Sequence, residues 1–501
     1  MLDTQTIREH FPYLQNVIDL RVERSEPRQR VFVDNTASTQ LPLEVLDTLA
    51  RSLFNYANVH RGEYEASQIT TEEFERAYNI AANLVNADSW REIILGRNTT
   101  EMINLVMRAM EYDFRDGDNV VLTNLEHNSN YVPWYGLQKR LARIGKKIDI
   151  RLAEFDHENG ELNLDHLASL VDDKTKIVSV TGASNFMGTK PYLPHISEIA
   201  HSSGYSQPNA PHGSYFLVDG AQLVPGTPVD VQQIGCDFLA WSFHKMALPL
   251  GVGGLYARKE VIEPLEPFLY GGDMIKDVKP GVVEYKDLPW RYTAGTPNIL
   301  GTLATGYGIQ FLMNLGLGNL SLTDGVERVG NRVLTEILMN TPRGDFEGKY
   351  QVSEQDEEVF SEFLEHHPNL IGMLRDPQQR LDRARSMVRT AMTNIMQHEQ
   401  ELTQPALDRL SKNDKITIYG PLDARKRTPL VAFNMQGWKP GNVAAELNKL
   451  GIEVRNGTHC ASLAHHEMGL EGTVRMSFYV YNNHEDVDAA VEAVERVARD
   501  L

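Results

Sequence analysis

Two short apolar runs between residues 216 and 245 constrain this chain more than any other feature. The first, Phe216-Leu217-Val218, ends on Asp219 and continues into Gly220-Ala221-Gln222. The second, Phe238-Leu239-Ala240-Trp241, ends on Ser242-Phe243-His244-Lys245. Buried parallel strands read as short apolar runs, and α/β proteins hold their ligands just beyond the carboxyl ends of such strands. Two neighbouring strands of this kind bring Asp219 and Lys245 to one crevice. Taken singly, Asp219 serves equally well as the N-cap of a following helix, and a lysine after a strand is commonly a solvated end. Ser242-x-x-Lys245 also fits the S-x-x-K of serine β-lactamases, but the S-D-N and K-T-G that accompany it there are absent.

An acid and a lysine at adjacent strand ends are what pyridoxal phosphate requires. The lysine carries it as a Schiff base, and the aspartate keeps the pyridine nitrogen protonated so that the ring can act as an electron sink.

The rest of the chain supports a sheet with one polar edge. Apolar strands at 92–96, 120–123 and 176–180 each run into a polar cluster. These clusters are Arg97-Asn98-Thr99-Thr100, Glu126-His127-Asn128-Ser129 and Thr181-Gly182-Ala183-Ser184-Asn185. Strand and helix alternate through this stretch, the pattern of a largely parallel sheet. Helical periodicity covers 42–56, with Leu43, Val45, Leu46, Leu49, Leu53 and Phe54 on the apolar side, and again 72–85. Gly96 followed by two threonines and a helix start suits a phosphate cradle or, equally, a plain threonine cap. His60 and Arg61 lie in a loop before Gly62, where the arginine either turns toward a ligand or is solvated.

At 501 residues the chain exceeds one ordinary core. Residues 1–30 read as an N-terminal arm packing with the small domain, and 31–316 as a large α/β domain. A helical insertion is expected at 317–390, with charged 345–365 and basic 380–385 and no chemical motif. Strands at 415–419, 430–434, 452–455 and 474–479, with helices at 442–450 and 485–501, form a smaller α+β C-terminal domain over 391–501.

Net charge is −19, from 49 basic and 68 acidic side chains, which argues against nucleic-acid or anionic-membrane partners while leaving room for a local basic pocket. No apolar run approaches the ~20 residues of a membrane span, and the start lacks the pattern of a signal peptide. The expectation is a soluble, cytoplasmic protein. No zinc spacing occurs; His465-His466-Glu467 lacks the second helical histidine of H-E-x-x-H, so it reads as a surface cluster and no metal is expected. Of two cysteines, Cys236 reads as core. Cys460, in Arg455-x-Gly457-x-His459-Cys460, follows a strand, where Arg455 and a protonated His459 would favour its thiolate.

Together these motifs, with Asp34-Asn35 and Ala294-Gly295-Thr296-Pro297-Asn298, resemble the class V aminotransferase-fold enzymes, and among them most the SufS-like cysteine desulfurase and selenocysteine lyase branch. The likeness spans about 30–316 and 390–501. It implies the pyridoxal-phosphate fold type I, aspartate-aminotransferase-like, with a mostly parallel sheet. It implies that Lys245 carries pyridoxal phosphate and His127 stacks on its ring. Asp219 would pair with the pyridine nitrogen, and Asn185 and Gln222 would face the ring hydroxyl. Thr99, Thr100, Ser242 and His244 would hold the phosphate, joined by Thr296 from the other subunit of a homodimer. Arg475 would clamp the substrate carboxylate, with His60, Arg61 and Arg455 also binding the small amino-acid substrate, and Cys460 would take sulfur as a persulfide for a sulfur-acceptor protein. Tyr64 and Asn128 stand where many members carry histidine, and the insertion is atypical. The resemblance thus implies release of sulfur or selenium from L-cysteine or selenocysteine. The alternative is a related pyridoxal-phosphate C–S lyase or other amino-acid-modifying class V enzyme in which Cys460 is not the acceptor. A non-catalytic binding protein on the same scaffold would not need Lys245, Asp219 and Arg475 together.

Overall fold

A computed structural model describes residues 2–15, 30–207, 213–348 and 350–499. Fifteen strands occur among them. In chain order they are β1 (Val31–Phe32), β2 (Ile93–Gly96), β3 (Asn119–Thr123), β4 (Asp149–Ala153), β5 (Thr175–Thr181), β6 (Tyr215–Asp219), β7 (Phe238–Ser242) and β8 (Gly253–Ala257). They continue as β9 (Ile275–Lys279), β10 (Val282–Tyr285), β11 (Ile416–Tyr419), β12 (Leu430–Met435), β13 (Ile452–Glu453), β14 (Arg455–Gly457) and β15 (Thr473–Ser477).

The main sheet has seven strands in the order β2-β8-β7-β6-β5-β3-β4. All its pairs are parallel except those of β8, which runs against β7 and β2. Strands β3, β5, β6 and β7 are buried along their whole length, as central strands of a parallel sheet are, Lys176 and Ser179 of β5 included. β6 and β7 are direct neighbours, with Asp219 level with Ala240. Hence Asp219 and the turn carrying Lys245 emerge side by side.

The second sheet is antiparallel, β11-β12-β15-β14, and the helix His484–Arg499 joins its core through Val487, Ala490, Val491 and Val494. β1 pairs in parallel with β13, so the strand expected to open the large domain joins the C-terminal elements instead. Val31 and Val33 are buried in that same core. The described part of the arm, 2–15, ties to the same region: Arg8 Nη1 donates to Asp486 Oδ2 at 2.7 Å, and Phe11 packs edge-on against Tyr481. The rest of the expected arm, 16–29, lies outside the described residues.

Between the strands of the two sheets in chain order come the helices Gly325–Met339, Glu354–His366 and Pro368–Arg375, then one of 34 residues, Pro377–Leu410. Asp376 caps this last helix, accepting from Gln378 N and Gln379 N, and proline at its first turn costs no hydrogen bond. The boundary expected at 390 falls inside it. Its buried face runs from Ala384 through Leu410, with His398 and Glu399 among the apolar side chains, and the helix continues through Pro405.

The helix Leu43–Ser52 departs from its sequence pattern. Val45 is buried, but Leu43, Leu46, Leu53 and Phe54 are exposed, Phe54 to 89%. No described helix is long and apolar enough to cross a membrane.

Candidate active site

A pocket of about 350 Å³ opens at the carboxyl ends of β5, β6 and β7, within the range of small-molecule sites. Lys245 and Asp219 face it together with Thr99, Thr100, His127, Asn185, Gln222, Ser242 and His244. Arg455, Cys460 and Arg475 complete it from the C-terminal elements. The two ends of the chain and the main sheet therefore meet at one cavity.

One wall is a hydroxyl cluster at a helix start. Asn98 caps the helix Thr99–Ala109, accepting from Glu101 N at 3.0 Å. Thr99 N donates to Ser242 Oγ at 2.8 Å, and the two hydroxyl oxygens lie 2.6 Å apart. Thr100 Oγ1 and Ser129 Oγ are 2.7 Å apart. Gly253 makes this approach possible, since a Cβ there would lie 2.5 Å from Asn98 Cα. Backbone N–H groups, hydroxyls and a positive helix end form an anion cradle.

At the other wall Asp219 is buried, and its Oδ1 accepts from Ala221 N at 3.1 Å. Burial pushes its carboxyl up, while the Lys245 ammonium pulls it back. The same burial brings the Lys245 amine down to about 8, with Asp219 opposing and Arg475 assisting. His127 is held near 4 by burial and the neighbouring cations, so its ring is neutral. Its Nδ1 accepts from Ser129 N at 3.0 Å, which places the proton on Nε2. His244 is likewise brought to about 4 by burial.

The C-terminal side is organised by Asp34. Its Oδ2 accepts from Arg455 Nη2 at 2.8 Å and its Oδ1 lies 3.6 Å from Arg475 Nη2. Arg475 is buried, donates through Nη1 to Asn185 O at 2.7 Å, and leaves its Nε without a partner. Asn185 Nδ2 donates to His459 O at 2.6 Å, while its Oδ1 also lacks a partner. Buried polar atoms left unpaired are costly. These two lie in the cavity wall, where a bound group can satisfy them.

Cys460 is exposed at the rim and Cys236 is buried. His459 and Cys460 both adopt left-handed backbone, with φ of 52° and 58°. Such residues cost about 1–3 kcal/mol each and cluster at functional sites. Asn128 N donates to Cys460 O at 2.7 Å and holds the turn. The protonated His459 expected beside the thiol is not there: burial, with Arg475 adding, drives its imidazole down to about 2. His465 is not at the surface either. It is buried, with Nε2 3.3 Å from Thr473 Oγ1. Among the described residues no group of three His, Cys, Asp or Glu is placed to hold a metal.

His60, Arg61 and Thr296 do not line this pocket. His60 Nδ1 lies 3.3 Å from Asp273 Oδ2 and Arg61 Nη2 3.4 Å from its Oδ1. Gly295 N donates to Gly272 O, so the Thr296 loop joins the same patch. Asp34, from the Asp34-Asn35 motif, and Ser129, from the polar cluster after β3, contact the pocket residues though the sequence gave neither a role of its own.

The donor set suits a planar anionic pyridine phosphate: a hydroxyl cradle, a buried acid, a lysine of lowered pKa and a neutral histidine.

The sequence matches the family described as aminotransferase class-V over residues 31–371 and 382–490. It is 31% identical over 508 residues to a cysteine desulfurase of Haloferax volcanii, covering 100% of this chain and 98% of that protein. The fold is similar to a solved cysteine desulfurase from Thermococcus onnurineus NA1, with a TM-score of 0.76 and 27% identity over 100% of this chain and 99% of that one. A solved cysteine desulfurase of Escherichia coli gives a TM-score of 0.73 at 25% identity, with both chains covered to 100%. With full-length coverage in sequence and in fold, this chain belongs to the class-V aminotransferase family, in its cysteine desulfurase group.

Proposed function

We propose that this protein is a pyridoxal-phosphate-dependent cysteine desulfurase that transfers the sulfur of L-cysteine to Cys460 and releases alanine. One observation carries this: the exposed Cys460 shares a cavity with Lys245 and with Arg475, whose buried Nε has no partner. Lys245 would hold the cofactor, with Asp219 at the ring nitrogen and His127 over the ring. Asn185 and Gln222 would flank the ring hydroxyl, and Thr99, Thr100, Ser242 and His244 would hold the phosphate. When bound, pyridoxal phosphate supplies an electron sink for the bonds broken at the substrate.

The chain's own groups do the remainder. Arg475 fixes the substrate carboxylate, as a planar guanidinium can through two parallel hydrogen bonds. Arg455, held by Asp34, closes the same side. Lys245, near neutrality, can hold or release a proton at the pH where the enzyme would work. Cys460 Sγ gives up its proton and bonds to the substrate sulfur as the substrate's C–S bond breaks. The electron pair goes to the substrate carbon, which takes up a proton. Cysteine and thiol thus become alanine and persulfide, with atoms balanced. Exposure of Cys460 leaves the persulfide open to an acceptor protein.

A homodimer fits the exposed Leu46, Leu53 and Phe54 and the patch formed by His60, Arg61 and the Thr296 loop, all outside their own chain's pocket. In this proposal that patch completes the partner's site.

The neutral His459 favours one competing assignment, a C–S lyase in which Cys460 is not the acceptor. Trapping decides the central assignment. Borohydride should fix the cofactor on Lys245, and Lys245→Ala should lose both colour and linkage; label on another lysine would overturn it.

A further inference from the structure

A second cavity among the described residues is larger than the one at Lys245. It holds about 800 Å³ and lies between the helices Leu43–Ser52, Glu65–Val85, Ile299–Gly316 and Gly325–Met339. Its floor is apolar, through Val45, Ala77, Ile80, Leu303 and Phe311, and the stretch around Tyr350 forms part of its wall. That stretch and Arg328 belong to the region at 317–390 in which the sequence shows no chemical motif.

The charges in the walls are unevenly spent. Glu73 accepts from Tyr307 Oη at 2.7 Å, Glu336 accepts from Arg332 Nη1 at 3.0 Å, and Glu44 pairs with His10. Three of the four arginines lack a carboxylate partner among the described residues, although Tyr307 is a neutral donor and leaves Glu73 its charge. Arg51 and Arg328 form no ion pair among the described residues, and Arg76 makes only a cation–π contact, 5.5 Å from the Tyr350 ring centroid. These three guanidinium groups line one cavity of a chain in which carboxylates are in excess. Glu44 Oε2 is buried without a partner, an acceptor left for a hydroxyl or N–H. The volume lies in the range of small-molecule sites, and polar and charged side chains make up most of the walls above the apolar floor.

We propose that this cavity binds a small organic anion with an apolar body, the anion held by Arg51, Arg76 and Arg328. The site is separate from the Lys245 pocket and does not rest on the function proposed above.

The holoenzyme is titrated with 8-anilinonaphthalene-1-sulfonate and with N-phenyl-1-naphthylamine, the same body without the sulfonate. Fluorescence and calorimetry should give one saturable sulfonate site per chain, tighter than the neutral probe. Arg51→Glu and Arg328→Glu, both at exposed positions, should each weaken the sulfonate about tenfold by reversing one charge at the rim, and leave the neutral probe unchanged. Unaltered melting temperatures establish folding; if either variant is destabilised, Arg51→Gln and Arg328→Gln should weaken the sulfonate about threefold. Equal binding of the two probes, no saturable site, or sulfonate affinity indifferent to the arginine changes would overturn the proposal.

Discussion

His60 and Asp273 face each other at 3.3 Å with both backbones in the left-handed region, at φ 74° and 69°. Neither is glycine, so each conformation costs about 1–3 kcal/mol and is held by the contact and its surroundings. Asp273 also receives Lys286 Nζ at 3.0 Å and so anchors the whole patch that carries His60 and Arg61. If this patch completes the partner's site, Asp273→Ala should lower cysteine turnover about tenfold while each chain keeps its bound cofactor. Mixing that variant with Lys245→Ala should restore activity, because a hybrid dimer then has one intact lysine facing one intact patch. No recovery on mixing would show that the patch serves its own chain.

The amine of Lys245 lies near 8 because burial disfavours its charge. Below that pH it is mostly ammonium and has no free electron pair to attack an aldehyde. Capture of pyridoxal phosphate by the apoenzyme should therefore speed up about tenfold per pH unit between 6 and 8 and level off above. Stopped-flow absorbance reads this directly, and a flat profile would remove the lysine from the capture step.

Arg475 should act on binding. Arg475→Lys keeps the charge but loses the fork that matches a carboxylate. KM for cysteine should rise roughly 10–100-fold, the equivalent of one or two charge-assisted hydrogen bonds, with a smaller change in kcat. A fall in kcat at constant KM would place the arginine elsewhere in the reaction.

Cys460→Ser separates the two assignments. The variant should bind the cofactor and still change its absorbance with cysteine, yet form alanine about a thousandfold more slowly. Turnover near the wild-type rate would make the protein a C–S lyase.

Much of this site is legible in the residues themselves. Strand-terminal Asp219 and Lys245 stand out because buried parallel strands leave continuous apolar runs, and polar side chains at their ends face one edge. Which pocket an outlying motif serves does not stand out. His60 and Arg61 read as site residues by motif, but spacing along one chain cannot say whose pocket they enter. The apolar stripe of Leu43, Leu46, Leu53 and Phe54 has helical period in the sequence, and periodicity does not reveal whether its partner is the same chain's core. His459 looked chargeable beside Cys460. Its neutrality arises from burial among residues distant in sequence, as does the partnership of Val31 with Ile452.

That last pairing sets an order for the chain's assembly. The Asp34–Arg455 contact beside it joins residues 421 positions apart. At a synthesis rate of about 5–20 residues per second, the strand at Val31 waits roughly 20–80 s for its neighbour to be made. Throughout that interval the nascent protein can complete its main sheet, with Asp219 and Lys245 side by side, but Asp34 has neither arginine to bind. The half of the pocket built by Arg455 and Arg475 is thus made long after the main sheet, and, on the function proposed above, a ribosome-bound chain would be able to gather cofactor contacts before it could hold an amino acid.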